Sequence, residues 1–378
     1  MSNFPLDVIA DILSRLSVKD LLCLRCVSKT FDSLIQSSDF VVLHLNRSIN
    51  TRTNRVLILN NSDLNFVDLA SFDSFATRLD HPLMDCQDGI KILGSCNGLL
   101  CVYNIIDDIA VWNPSTKEYL ILPALSLGAC QVFVYGFGYD SVNDDYKVVR
   151  IIQSFRVEDK VFELEVKVWS FGEKGWRRIE DLPYVLSFPG ANGVFVCGAL
   201  HWAVSRKDEP ENVNTIVALD LGVEEYREVP QPEYPDGEEF HLEVGVLEGC
   251  LCVIADYVDS HVDLWVMREY GVKESWTKLL SLACGELTDS FRSVKPLVYS
   301  RGGDQVLLVF DSVKLFWYDL EKKKATTVKA RGVLFSYESD ICLQSLVSLA
   351  VKKRNDARQQ KEEDENLYVQ VDIWVGQP

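Results

Sequence analysis

Basic residues and histidines are scarce in this sequence. Among 378 residues there are 38 Lys and Arg against 56 Asp and Glu, a formal net charge of −18, and only 5 His. Binding to the phosphate backbone of nucleic acids depends on clustered Lys and Arg. We therefore expect no nucleic-acid partner.

Long apolar runs are also missing. No stretch reaches the roughly 18 uncharged apolar residues that a membrane span requires. Asp7, Asp11 and Arg15 interrupt the first apolar segment and no basic region precedes it, so we expect no signal peptide. Eleven cysteines without such a signal are typical of reduced thiols. We therefore expect a cytoplasmic or nuclear location, or both, and no membrane partner.

The first 45 residues have the pattern of short amphipathic helices. The stretch PLDVIADILSRL places Ile9, Leu13 and Leu16 on one face at helical spacing. Ser17 and Ser28 are suitable N-caps for a second and a third helix, and SDFVVLHL indicates a short fourth helix. Because so small a helical unit buries little surface alone, we expect it to pack against a partner.

The chain from residue 56 to 350 is predicted to be all-β. Short β-branched and aromatic runs alternate with Gly, Asp, Asn and Pro. One sequence motif recurs at intervals of 46 to 57 residues, at Trp112, Trp169, Leu219, Trp265 and Trp317. A period near 50 residues in an all-β chain is typical of propeller blades. We predict a kelch-like propeller of six blades; a two-sheet sandwich is the alternative, but it would not require a repeat.

The chain divides into four segments on these patterns: a helical domain over 1–45, a linker over 46–55, the propeller over 56–350 and a charged tail over 351–378 that we expect to be flexible. The stretch RVLILNNSDLNFVDLASF predicts an incomplete first blade. We expect DICLQSLVSLAV, near the C-terminus, to supply the missing strand and close the ring.

Two cysteines in the second predicted helix have a spacing that can carry chemistry. Cys23 and Cys26 form a C-x-x-C pair, which binds zinc or exchanges thiols in other proteins. A structural zinc needs four ligands, and a redox pair normally opens a helix, whereas this pair lies inside one. We interpret both as ordinary helix positions and expect no metal or cofactor.

The remaining motifs do not favour an enzyme. In GSCNG, residues 94–98, Cys96 stands where a nucleophile elbow has its nucleophile, but a strand-like run follows instead of a helix. We interpret this stretch as a turn between strands. GFGYDS at Gly136 has two glycines of a dinucleotide fingerprint but Ser141 in place of the third, so we expect a turn there too. His201 is interpreted as a core or channel residue.

The N-terminal stretch FPLDVIADILSRLSVKDLLCLRCVSKTFDSLIQSSDFVVLHL resembles an F-box. Two positions depart from the usual pattern: Phe4 replaces a Leu, and Phe31 stands where plant members mostly carry Trp. The phrases GSCNGLLCV, VWNPSTKEYLILP and GFGYDSVNDDYKVVRI resemble the F-box-associated domain of plant F-box proteins. These motifs are most similar to those of members that restrain defence responses.

This resemblance implies a substrate-recognition subunit of an SCF-type ubiquitin ligase, which is not itself an enzyme. It implies docking onto a Skp-type adaptor and, through it, onto cullin and RING subunits, with an unidentified target protein held by the β domain. The residues implied in adaptor contact are Pro5, Ile9, Ile12, Leu13, Leu16, Leu21, Leu24 and Val27.

Two other hypotheses stay open. One is a propeller that binds a glycan or small ligand, with the helices merely packed on it; exposed aromatic residues such as Trp202 would favour this. The other is a propeller hydrolase that uses Cys96 as its nucleophile.

Overall fold

The computed structural model describes most of the chain. The described residues are 5–60, 63–72, 75–83, 89–104, 108–125, 131–156, 161–186, 192–207, 213–235, 239–257, 260–283, 293–311, 314–333 and 338–349. Phe4 and the tail predicted over 351–378 lie outside them.

Four helices open the chain: α1 (Leu6–Leu13), α2 (Val18–Arg25), α3 (Lys29–Ile35) and α4 (Ser38–Thr51). The predicted caps are confirmed, since Ser17 Oγ accepts from the Asp20 amide at 3.2 Å and Ser28 Oγ from the Phe31 amide at 3.1 Å. The fourth helix is longer than the short one expected. It runs into the segment 46–55, where we expected a linker, and ends at Thr51. The residue that caps it, Arg52, has the left-handed conformation common after helices (φ 55°).

The helices form a module with its own small core. Leu13, Val18, Leu21, Ile35 and Phe40 are buried together. One further member of this core, Leu346, comes from the other end of the chain. The helical module is therefore completed by a segment that follows the propeller.

Antiparallel strands dominate the rest of the described chain, with two short 3₁₀ helices at Leu69–Ser71 and Lys273–Ser275. In chain order they are β1 (Arg55–Asn60), β2 (Leu64–Asp68), β3 (Thr77–Arg78), β4 (Ile90–Cys96), β5 (Leu99–Asn104), β6 (Ile109–Trp112), β7 (Tyr119–Ile121), β8 (Gln131–Asp140), β9 (Asp145–Arg156), β10 (Val161–Ser170), β11 (Gly175–Arg178), β12 (Val185–Leu186), β13 (Val194–Val196), β14 (Ala199–Ser205), β15 (Val213–Asp220), β16 (Tyr226–Glu228), β17 (His241–Leu247), β18 (Cys250–Tyr257), β19 (His261–Met267), β20 (Trp276–Ala283), β21 (Val294–Tyr299), β22 (Gln305–Phe310), β23 (Lys314–Asp319), β24 (Lys324–Val328) and β25 (Glu338–Leu343).

These strands form six sheets, which are the blades of a propeller. Blade 1 has the order β25-β1-β2-β3, and blades 2, 3, 5 and 6 are β4–β7, β8–β11, β17–β20 and β21–β24. Blade 4 has five strands, because the short β12 and β13 both pair with β14. The first strands contact one another in a closed ring, β25 to β4, β8, β13, β17, β21 and back to β25. The prediction of a six-bladed propeller is confirmed.

The last strand closes the ring, as predicted. In blade 1, β25 pairs with β1 from Arg55 opposite Leu343 to Asn60 opposite Glu338. The first blade thus takes its innermost strand from the C-terminal end of the chain, so that no sheet edge is left open at the closure.

The recurring sequence motif lies in the third strand of each of blades 2 to 6. Its residues Trp112, Trp169 and Leu219 are buried between blades, in β6, β10 and β15. A large apolar side chain at this position packs each sheet onto its neighbour, which explains why it repeats once per blade.

The prediction of a turn at Gly136 is wrong. Gly136 and Gly138 lie inside β8, and the turn comes later, at residues 141–144. A Cβ atom at Gly136 would lie 2.7 Å from Cδ1 of Leu200, and one at Gly138 would lie 2.3 Å from Cδ2 of Phe195. The glycines therefore serve the close approach of blade 4 to the inner strand of blade 3.

Strand direction gives the propeller two different faces. Because α4 leads directly into β1, the second strand of blade 1, the helical module lies at the face where first strands end and second strands begin. We call this the helix face; it carries the short turns, such as residues 97–98, 197–198 and 248–249. The opposite face, the far face, carries the connections from second to third strands and from blade to blade.

Candidate functional site

The helical module exposes large apolar side chains. Ile12 in α1 is 55% exposed, and Val27, between α2 and α3, is 67% exposed. Leu6 and Val8 in α1 are exposed as well. Exposed apolar groups gathered on one small module mark a surface for another protein more often than isolated ones do.

The residues predicted to contact an adaptor fall into three environments. Exposed members are Pro5, Ile12 and Val27; half-buried members are Ile9, Leu16 and Leu24; buried members are Leu13 and Leu21. All eight belong to the same module, but the two buried leucines are in its core and support the surface instead of forming it. Their role in docking stays a prediction.

Two exposed residues of α1 were missing from the predicted set. Leu6 and Val8 lie in the same apolar stretch as Ile9 and Ile12, so the sequence carried a signal for them. In α4, Phe40 and His44 are buried while Val42 and Leu43 are exposed. Helical periodicity distinguishes these two faces, but the buried face is known only once its packing partners are known.

Ion pairs connect charged residues on the surface of the helical module. Asp11 accepts hydrogen bonds from Arg15 at 2.8 Å and from Arg47 of α4 at 3.2 Å. The hydrogen bond from Arg15 is the main cause that lowers the pKa of Asp11. Arg25 donates to Asp32 at 2.9 Å, which lowers the pKa of that carboxyl group. Such exposed pairs orient helices but stabilise them little.

The cysteines of the described residues are free thiols in different environments. Cys23 and Cys26 are exposed, free thiols on α2 and at its end. No group of three or more His, Cys, Asp or Glu in the described part of the chain is placed to hold a metal ion. Cys96 is buried, which raises the pKa of its thiol and disfavours the nucleophilic thiolate. It pairs with Leu99 across a tight hairpin, which confirms the predicted turn.

His201 is a buried core residue held by two hydrogen bonds. Its Nδ1 lies 3.2 Å from the Val194 carbonyl oxygen and its Nε2 lies 2.6 Å from the hydroxyl of Tyr270. Burial lowers the pKa of His201 to about 4. The neighbouring Trp202 is only 2% exposed. The exposed aromatic residue that would favour a glycan site is therefore absent at this position.

Glu248 of the β17–β18 turn anchors the helical module to the propeller. Its carboxylate accepts from Arg55 in a two-pronged ion pair, with Nη2 at 2.6 Å from Oε2. The Tyr299 amide donates to it at 3.3 Å, and Arg52 Nε lies 3.6 Å away. The end of α4 is thus tied to blades 5 and 6.

The geometry defines a class of protein. A helical module with an exposed apolar surface is joined by residues 52–54 to a closed β-propeller, whose far face is free of the module. The chain is thus a two-part protein, a small helical module fused to a β-propeller. Among the described helices, none is long and apolar enough to cross a membrane.

Two known families match the chain over nearly its whole length. The F-box domain matches residues 1–43, and the F-box associated beta propeller domain matches residues 55–352. The chain belongs to the F-box proteins that carry this propeller domain, as the resemblance indicated.

Relatives are similar along most of their length. F-box protein CPR1 of Arabidopsis thaliana is 37% identical over 387 aligned residues, which cover 96% of this chain and 93% of the relative. From the same plant, F-box protein At4g22390 is 33% identical, with 92% and 90% covered. The F-box/kelch-repeat protein At3g23880 is 32% identical, with 82% and 86% covered.

Proposed function

We propose that this chain is the substrate-recognition subunit of an SCF-type ubiquitin ligase. The F-box module docks onto a Skp-type adaptor and, through it, onto the cullin and RING subunits. The observation that carries the proposal is the exposure of large apolar side chains, Ile12 and Val27 among them, on a module of the F-box family.

The chain itself would do no chemistry. It would hold a captured protein near the ubiquitin-conjugating enzyme, which raises the effective concentration of the target's lysines. We place target capture on the far face, because the helical module is attached at the other one. Its work would then lie in the cytoplasm, the nucleus or both. The similarity of the sequence motifs to those of members that restrain defence responses further supports a target in defence signalling.

The docking step is tested by charge substitution on the full chain. An aspartate at Ile12 or Val27 costs little in the free module because both side chains are exposed. In the complex it would leave an unpaired charge in an apolar contact. We expect the double variant Ile12→Asp, Val27→Asp to lose adaptor and cullin in co-purification with the proteasome blocked, while target proteins persist.

The matched control is Ile121→Asp, which changes another exposed isoleucine, 46% exposed, on the outer strand β7 of blade 2. This variant should keep the adaptor. Retention of adaptor and cullin by the double variant would show that docking does not use this surface. The glycan-binding hypothesis has no exposed Trp202 to support it, so it is not proposed.

A further inference from the structure

The segment that follows the last strand leaves the propeller and enters the helical module. Residues 344–349, which we call the strap, begin directly after β25. The amide of Gln344 donates to the Asn54 carbonyl oxygen at 2.7 Å, beside the connection between module and propeller. Leu346 is buried in the core of the helical module with Leu13 and Phe40.

Alternate residues of the strap bury themselves in different parts of the molecule. Whereas Leu346 belongs to the helical core, Val347 and Leu349 belong to the core between blades 2 and 3. Val41 and Leu45 of α4 pack against that same propeller core. The strap thus lies in the seam between the two domains and contributes side chains to both.

The strap fits closely over blade 2. A Cβ atom at Gly98, in the β4–β5 turn, would lie 2.3 Å from Oγ of Ser345, and Gly98 has φ +85°. Only glycine suits both this conformation and this approach. The Leu349 amide donates to Glu118 Oε2 at 3.1 Å. These contacts fix the path of the strap at the surface of blade 2.

Asn113 holds the strap by its side-chain amide. Its Nδ2 donates to the carbonyl oxygens of Ser345 at 3.1 Å and Val347 at 2.7 Å. Its Oδ1 accepts from the Ser115 amide at 2.8 Å, within the β6–β7 turn. Asn113 is fully buried, so both halves of its amide are used, one for the turn and one for the strap.

The other blades show that the turn alone does not need an asparagine. At the same position, blade 4 has Asp220, whose Oδ1 accepts from the Gly222 amide at 2.9 Å. Blade 6 has Asp319, whose Oδ1 accepts from the Lys322 amide at 2.8 Å. Blade 3 has Ser170, whose Oγ accepts from the Glu173 amide at 3.2 Å. An acceptor is sufficient for the turn; the donor of Asn113 serves the strap.

We propose that the strap sets the orientation of the F-box module relative to the propeller, and that Asn113 is the positioning residue that holds it. Besides the strap, α4 packs on the propeller core through Val41 and Leu45, and Arg52 lies beside Glu248. The strap adds a further attachment that restricts rotation of the module about residues 52–54. A fixed orientation places a captured protein at a set distance from the conjugating enzyme; this consequence rests on the proposed function, whereas the fixed orientation does not.

The test is Asn113→Asp in the full chain, with Asp220→Asn as the matched control. Aspartate retains the acceptor for the turn, as in blades 4 and 6, but sets a negative charge against two carbonyl oxygens. We expect a larger maximum dimension in small-angle X-ray scattering and roughly tenfold faster tryptic cleavage at Arg52, in line with the loss of two buried hydrogen bonds. The control should match the unchanged chain in both measurements.

A second variant covers the case in which Asn113→Asp fails to fold. A chain that ends at Leu343 lacks the strap but keeps the whole of β25 and its pairing with β1. It should show the same expansion while the propeller still unfolds cooperatively. Wild-type scattering and cleavage in either folded variant would overturn the proposal.

A reconstituted ligase separates positioning from simple structural support. With adaptor, cullin and RING subunits present, Asn113→Asp should bind adaptor normally but change which lysines of the chain itself are ubiquitinated, because the module samples more orientations. An unchanged pattern in this assay would also contradict the proposal. If the unchanged chain fails to bind adaptor, the proposed function is wrong, and the scattering result stands by itself.

Discussion

Adjacent residues of α1 illustrate how differently two apolar side chains can contribute. Ile12 is exposed, whereas Leu13 is 6% exposed and packs in the module core. The resemblance to an F-box implied both in docking, and the sequence shows only that both are apolar and in one helix. Substitutions of the two therefore test different things: the exposed one tests binding, and the buried one tests folding.

Leu21, in α2, is the strongest case for folding. It is completely buried among Leu13, Ile35 and Phe40. We expect Leu21→Ala to lower the free energy of unfolding of the module by about 2–4 kcal/mol, through lost burial and the cavity left behind. Urea unfolding followed by helical circular dichroism measures this. A loss of adaptor binding without any loss of stability would instead place Leu21 in direct contact with the partner.

His201 predicts a pH dependence of stability. Burial lowers its pKa to about 4 in the folded protein, whereas an unfolded histidine has a pKa of about 6.5. The unfolded chain therefore takes up a proton first as the pH falls. The contribution of His201 to stability is present above about pH 6.5 and is lost as the pH falls towards 4.

From pH 7 to pH 5 this loss should be about 2 kcal/mol. We expect the free energy of unfolding of His201→Gln, measured by denaturant titration, to fall less over this range by about that amount. Glutamine can keep a hydrogen bond to Tyr270 but does not titrate. Equal pH slopes in the two proteins would mean that His201 titrates normally in the folded state.

At the scale of elements, the repeating features and the closure of the ring by the last strand were predictable, whereas other long-range contacts were not. The blades and their third strands followed from Trp112, Trp169 and Leu219, because each blade needs a large apolar residue in its third strand at the interface with a neighbouring sheet. The extent of α4, the inner position of Gly136 and the strap did not follow. The inner position of Gly136 and the path of the strap depend on contacts with distant segments, such as that of Asn113 with Val347, and a local pattern carries no record of them.

The same limit applies to the candidate site. Helical spacing and the F-box wording identified the module and its apolar residues. They could not sort Ile12 from Leu21, because a helix in a small bundle is apolar on several sides. The burial of Leu21 depends on α3, on α4 and on the strap, whose Leu346 is far away in sequence.

The connection between α4 and β1 gives a prediction at this scale. Glu248 and Arg55 are almost completely buried as a pair, with 15% and 10% of their side chains exposed. Glu248→Ala would leave Arg55 without its partner in a poorly solvated place, at a cost of about 3 kcal/mol. Denaturant unfolding should show this loss, together with faster proteolysis between Thr51 and Arg55.

A double-mutant cycle with Arg55→Ala identifies the cause. If the ion pair matters, the double variant should be less destabilised than the sum of the two single variants. Additive effects would show that Glu248 acts through the Tyr299 amide and the turn, and not through Arg55.

The whole molecule depends on its C-terminal residues for both domains, since β25 closes the propeller and Leu346 fills the helical core. A chain that ends at residue 337 would leave β1 with one unpaired edge and blade 1 without its inner strand. A chain that ends at residue 349 keeps both β25 and the strap.

We expect the shorter chain to associate in size-exclusion chromatography and to lose its cooperative thermal transition. The longer one should remain monodisperse and unfold at the midpoint of the full chain. A monomeric shorter chain with an unchanged midpoint would mean that the other five blades hold the ring together without the last strand.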